Sequence, residues 1–220
     1  MTQLVEFAGA GGEIINCINY GDIVHENVNA NGEMGGIVGI KSSYGECIIN
    51  NCKNYGKSPA GIIGMVKSGG VTLLNCANYG ECDYGLVKGF NGGDWNTAVE
   101  LNMKNSFNVG NSKKCGMIGD TTGVYKSITI NMENCYNFGE SPKAIIEAIS
   151  TYKKDDTTIN IKNTYYDTSK CSDVGAITEG IETVSIYNNS DFVKKLNDNI
   201  GTNSEWKKWK MGNSGYPVFE

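Results

Sequence analysis

The sequence predicts an all-β fold: a right-handed parallel β-helix (β-solenoid) of about six coils, with a C-terminal cap that contains a short helix. Three observations predict it. One phrase recurs along the chain: Asn16-Cys17-Ile18-Asn19-Tyr20-Gly21, Asn51-Cys52-Lys53-Asn54-Tyr55-Gly56 and Asn75-Cys76-Ala77-Asn78-Tyr79-Gly80, with looser copies from Asn105, Asn134 and Asn163. The intervals between copies are 35, 24, 30, 29 and 29 residues, the signature of one stacked structural unit. Each phrase is preceded by period-two alternation and followed by a glycine-flanked apolar block.

Ile128, Ile130 and Met132 alternate with Thr129, Asn131 and Glu133, and the same parity runs through Val71-Leu73, Leu101-Met103 and Ile159-Ile161. That is a half-buried strand. Parity carried forward puts the first Asn of each phrase inward, where an unpaired amide is costly. Coils stacked in register let each such Asn bond to the next, so Asn16, Asn51, Asn75, Asn105, Asn134 and Asn163 are expected to form a ladder. The second Asn belongs to a bend. The residue between the two varies (Ile18, Lys53, Ala77, Phe107, Tyr136) and is expected to point outward, while the direction of the Tyr20, Tyr55, Tyr79 and Phe138 column stays open. The glycine that ends each phrase fits a turn needing positive φ.

The following blocks, such as Gly35-Gly36-Ile37-Val38-Gly39 and Gly61-Ile62-Ile63-Gly64, read as short buried strands between tight turns. Three short strands and three bends fill the shortest interval of 24 residues as one triangular turn. Propeller blades need about 40–50 residues, and the leucine-rich consensus is missing. The array occupies residues 1–179. Residues 180–220 depart from the pattern. Ser190 caps a short helix through Leu196, with Phe192, Val193 and Leu196 on one face, and Trp206, Trp209 and Tyr216-Pro217 follow. A last coil exposes edge backbone and needs a cover.

Composition bounds the function. The chain has 220 residues with 29 glycines, 3 prolines and 27 asparagines. Its net charge of −5 disfavours nucleic acid and anionic membranes as partners. All 19 basic residues are lysine, which removes the bidentate clamp used for phosphate and uronate. No stretch has the roughly 20 apolar residues of a membrane span, and residues 1–12 lack the basic and apolar regions of a signal peptide. The sequence enters its first repeat almost at once, so the expectation is a piece of a larger protein joined to neighbouring domains.

Of eight cysteines, Cys17, Cys52, Cys76 and Cys135 share one place in the repeat, with Ser106 and Thr164 completing the column. That pattern reads as stacked, buried side chains rather than disulfide halves. A bridge between neighbouring coils stays sterically open, since strands about 4.8 Å apart fall within disulfide reach. With no CxxC and a single histidine, His25, no metal or cofactor is expected.

The pairing of Asn-Cys-x-Asn-Tyr-Gly with the following Gly-rich apolar block resembles the GLUG-type repeats of large bacterial surface proteins, which accompany adhesins and immunoglobulin A-cleaving peptidases. The tail is similar too: Asn163-Thr164-Tyr165-Tyr166-Asp167, Phe192-Val193, Leu196-Asn197, Trp206 and Gly215-Tyr216-Pro217. The resemblance implies a scaffold at the cell surface or secreted, binding a host protein or glycan, with no catalytic residues to carry over. Candidate ligand contacts are the loop aromatics Trp95 and Tyr125, with Trp206 and Trp209 as a sugar platform or, alternatively, as packing for the cap. A carbohydrate-active enzyme is the alternative, because parallel β-helices host lyases and hydrolases. Its carboxylates (Glu46, Glu81, Asp83, Glu140) are scattered. An accessory region of a surface peptidase, with His25 beside a cysteine, is a third reading.

Overall fold

The computed structural model describes residues 6–7, 11–24, 33–42, 44–91, 98–121, 127–150, 156–184 and 189–220. The chain is mostly β, with parallel strands in two stacked sheets of 10 and 11 strands and one helix among the described residues. A single turn shows the plan. Strand Gly69–Leu74 leads into Asn75; Ala77–Asn78 follows, then Cys82–Tyr84 and Val87–Gly89. Each strand pairs in parallel with its counterparts one interval before and after. Leu73 lies between Ile49 and Met103, Ala77 between Lys53 and Phe107, and Cys82 between Ser58 and Ser112. Like residues therefore stack on like, as the spacing predicts.

A turn holds four strands rather than the expected three. The tail of the phrase, Ala77–Asn78, is a strand of its own, kinked away from Gly69–Leu74 at Asn75. Two residues are too few for any periodicity to show. Connections of variable length leave from one corner of the turn. They join Val66 to Gly69, Gly89 to Val99, Asp120 to Ile128 and Ala148 to Thr157, and most of the difference among the later intervals arises here; the first interval, of 35 residues, owes its length instead to the stretch between Ile18–Asn19 and Val38–Lys41.

Two apolar clusters result. The inner one is filled by alternate residues of the long strands (Ile49, Leu73, Met103, Ile130), by Ile63, Val87, Ile118 and Ile146, and by thiols. The outer one holds Ala77, Phe107, Tyr136 and Tyr165, the variable position of the phrase, with Phe192, Leu196, Trp206, Trp209 and Phe219 of the C-terminal segment. The helix Asn189–Ile200 runs one turn beyond the expected Leu196 and ends at Gly201, whose φ of 55° fits a C-terminal glycine. Strands Trp209–Met211 and Pro217–Phe219 form an antiparallel hairpin beside it. This segment reaches across three successive copies of the phrase. The backbone carbonyls of Glu205, Lys207 and Leu196 accept from the amides of Asn75, Asn105 and Asn134.

Candidate functional site

The first Asn of every copy, from Asn16 to Asn163, has a positive φ of 49–61°. Asn is the side chain that best tolerates this left-handed region outside glycine. The kink breaks strand parity, so the inward placement expected from alternation does not hold: the amides of Asn75, Asn105 and Asn134 face the C-terminal segment. Asn105 Nδ2 donates to Asn75 Oδ1 and Asn134 Nδ2 to Asn105 Oδ1, both at 2.8 Å. Asn51 donates to Asn16. Asn75 Nδ2 instead reaches Asn50 Oδ1 at 3.1 Å, and Asn51 Oδ1 is left buried without a partner. The break falls at the 24-residue interval.

The second Asn makes a ladder of opposite polarity. Asn19, Asn54, Asn78 and Asn108 each donate to the Oδ1 of the next copy at 2.7–2.8 Å. Each also donates to the carbonyl of the glycine two residues on. Asn54, Asn78, Asn108 and Asn137 are completely buried, so these bonds satisfy groups that would otherwise cost about 1–3 kcal/mol apiece.

The glycine that ends the phrase is not the positive-φ residue. It is required by stacking: a Cβ on Gly56, Gly80, Gly110 or Gly139 would lie 2.0–2.1 Å from the carbonyl oxygen of the glycine one copy earlier.

Cys52, Cys76 and Cys135 are completely buried in the inner cluster and Cys17 packs against it half-buried. Cys52, Cys76, Cys135, Ser106 and Thr164 all donate to the carbonyl two residues back, at 2.9–3.4 Å. The position thus wants a small side chain with a donor, which explains why Ser and Thr stand in for Cys. Burial pushes the Cys82, Cys115 and Cys135 thiols up to about 12, so they stay protonated and unreactive. All eight cysteines are unbridged.

Trp206 and Trp209 are buried in the outer cluster. Trp209 Nε1 donates to Asn105 Oδ1 at 2.8 Å, and its ring packs on Phe107, Tyr136 and Phe219. Neither offers a ring face to a ligand. Trp95, Tyr125 and His25 lie outside the described residues.

The aromatic stripe is the feature that sequence reasoning left undecided. The tyrosine column faces outward, next to the variable position. Tyr20 stacks on Tyr55 with centroids 5.1 Å apart, Tyr55 on Tyr79 at 4.5 Å, and Phe107 on Tyr136 at 4.9 Å. From Ala77 onward the C-terminal segment covers the stripe. In the first two copies it is bare: Tyr20 is 74% exposed, Tyr55 41% and Ile18 48%. Parity could not reveal this, because the covering residues lie outside the repeat, from 27 positions away (Tyr165 and Phe192) to 132 (Asn75 and Lys207).

The carboxylates sit otherwise. Glu81 pairs with Lys57 at 3.0 Å and Asp83 with Lys113 at 3.6 Å, both on the surface. Exposed pairs of this kind are screened by solvent and contribute little to stability. Glu46 accepts from Thr72 at 2.8 Å. Glu81 and Glu140 line one open groove, on alternate turns with Asn111 on the turn between them. Among the described residues, no group of three or more His, Cys, Asp and Glu is placed to hold a metal, and no helix is long and apolar enough to cross a membrane.

The ladder gives a direct test. Asn75→Ala forces a Cβ-bearing residue without side-chain hydrogen bonds into left-handed backbone, and a loss of about 2–3 kcal/mol is expected in urea unfolding. Asn75→Gly relieves the backbone but not the lost bonds, and is expected to cost about half as much. No protein-family model, curated protein or solved structure matches the chain, so its functional reading rests on this geometry.

Proposed function

We propose that the chain is a non-catalytic repeat module of a secreted or cell-surface protein, related in kind to GLUG-type repeat regions, that serves as a stalk or adhesive scaffold for a protein or glycan. In this reading the array is a right-handed solenoid of about six coils, residues 180–220 are its cover, and the variable connections at one corner are displayed loops. The observation that carries it is the bare aromatic stripe on the first two copies. Tyr20, Tyr55 and Ile18 are an outward apolar patch on a rigid frame, and such patches mark interaction sites. Sugar rings and apolar side chains both stack on tyrosine faces, with Asn16 and Lys53 beside them to orient a polar partner.

The test is a glycan array and a panel of extracellular-matrix proteins, run beside a depolymerisation assay on plant and mucin polysaccharides. Binding without chain cleavage is expected. Tyr20→Ala and Tyr55→Ala should each weaken it by about tenfold, the loss of one aromatic contact of about 1.4 kcal/mol. Depolymerisation abolished by Glu81→Gln or Glu140→Gln would replace this reading with the enzymatic one.

A further inference from the structure

Three cysteines of the column are consecutive: Cys17, Cys52 and Cys76 follow one another from copy to copy, whereas Cys135 has Ser106 and Thr164 as its neighbours. Ile18 pairs with Lys53 and Asn19 with Asn54, and Lys53 N–H donates to the Cys17 carbonyl at 2.9 Å. Cys17 and Cys52 therefore stand opposite each other, each immediately before one of two adjacent parallel strands, Ile18–Asn19 and Lys53–Asn54. Their Cα spacing of about 4.8 Å falls in the range of about 4.4–6.8 Å that disulfides span. The Cys52 thiol already leans toward the first turn, with Sγ 3.6 Å from the Ile14 carbonyl oxygen. Cys17 is the one thiol of the eight that is not fully buried. Strand Ile18–Asn19 and the preceding strand Gly12–Ile15 are the last of their ladders among the described residues, so nothing described beyond them resists the small shift that a bond requires.

We infer that Cys17 and Cys52 are an oxidisable pair that closes a disulfide across the first two turns by exchange with a low-molecular-weight disulfide. Cys17, the accessible partner, attacks one sulfur of the reagent as its thiolate. The reagent S–S bond breaks, a mixed disulfide forms on Cys17, and the departing thiolate takes up the proton that Cys17 gave to solvent. Cys52 then attacks the Cys17 sulfur. The protein S–S bond forms, the second small thiolate leaves, and it takes up the proton lost by Cys52. Two protein thiols are oxidised and one small disulfide is reduced to two thiols. Partial burial and the neighbouring Cys52 thiol raise Cys17 while the Cys76 thiol lowers Cys52, so accessibility and not acidity makes Cys17 the first to react, and the exchange quickens toward alkaline pH. Cys52 and Cys76 are both buried, with no exposed member to begin the exchange. Closure staples the outermost described turn beneath the bare aromatic stripe.

The test exposes the full chain to 2-hydroxyethyl disulfide under native conditions, then alkylates the remaining thiols in denaturant and maps the peptides. The expected product is one intramolecular Cys17–Cys52 bond, with the other six thiols alkylated only after denaturation. C52S should stop at a stable mixed disulfide on Cys17, and C17S should not react. Serine is native to this column at Ser106, so both variants keep the donor the position needs. A bond joining any other pair, a covalent dimer through Cys17, or a mixed disulfide that persists in the wild-type chain would overturn the assignment.

Discussion

Gly110→Ala is expected to destabilise the array by about 3 kcal/mol or more, read as a lower urea midpoint at unchanged slope. A Cβ at Gly110 would sit 2.0 Å from the Gly80 carbonyl oxygen and 2.8 Å from Asn78 Nδ2. Both neighbours are fixed. The carbonyl belongs to the turn below, and the amide already donates to Asn108 and to Gly80. Relief would require two turns to separate, which breaks parallel pairing on both sides of the bend. Gly21→Ala is the matched control. It occupies the same place in the first copy, but its Cβ would meet only Asn19 Oδ1 at 3.8 Å, and a change within about 0.5 kcal/mol is expected. Equal losses at both positions would show that backbone conformation, not vertical contact, selects glycine there.

Trp209→Ala is expected to cost about 3–5 kcal/mol of the free energy that seats the C-terminal segment. Trp209 is 1% exposed, among the largest fully buried side chains, and its ring joins Phe107 and Tyr136 to Phe219. The substitution also removes one of two donors to Asn105 Oδ1, leaving Asn134 Nδ2. The damage should be regional. Of this segment only Ile181, whose strand pairs with the array, packs against the inner cluster, so far-ultraviolet dichroism of the β array is expected to persist while trypsin cleaves rapidly at Lys207 and Lys208. Trp209→Phe keeps most of the ring and loses only the N–H, for about 1 kcal/mol. Retained protease resistance in Trp209→Ala would show that the hydrogen bonds to Asn75, Asn105 and Asn134 suffice.

How much of this was legible in the sequence depends on whether the physics is vertical or lateral. Identical residues at identical offsets announce vertical stacking, and the parallel registers of Leu73, Ala77 and Cys82 follow from that alone. Local conformation was less legible. Asn and Gly both accept positive φ, and the phrase contains both. The kink belongs to Asn16 and its equivalents, and the glycines answer a collision that exists only between turns. Parity failed at the same kink, because alternation assumes an extended chain and each first Asn leaves it. The lateral contacts were invisible: Trp209 meets Asn105, and Lys207 meets Asn75, across more than 100 residues, and no periodicity encodes them. For the same reason the covered and bare parts of the aromatic stripe look alike in sequence, though they differ in what they offer a partner.

The grip of residues 196–209 on Asn75, Asn105 and Asn134 works as a ruler. Its marks are one interval apart, so a unit gained or lost between them would throw every later mark out of step. Units added ahead of Asn51 would leave the ruler untouched and merely lengthen the uncovered reach. Lineages carrying this architecture should therefore lengthen and shorten by duplication at one end, while the stretch beneath the strap holds its number.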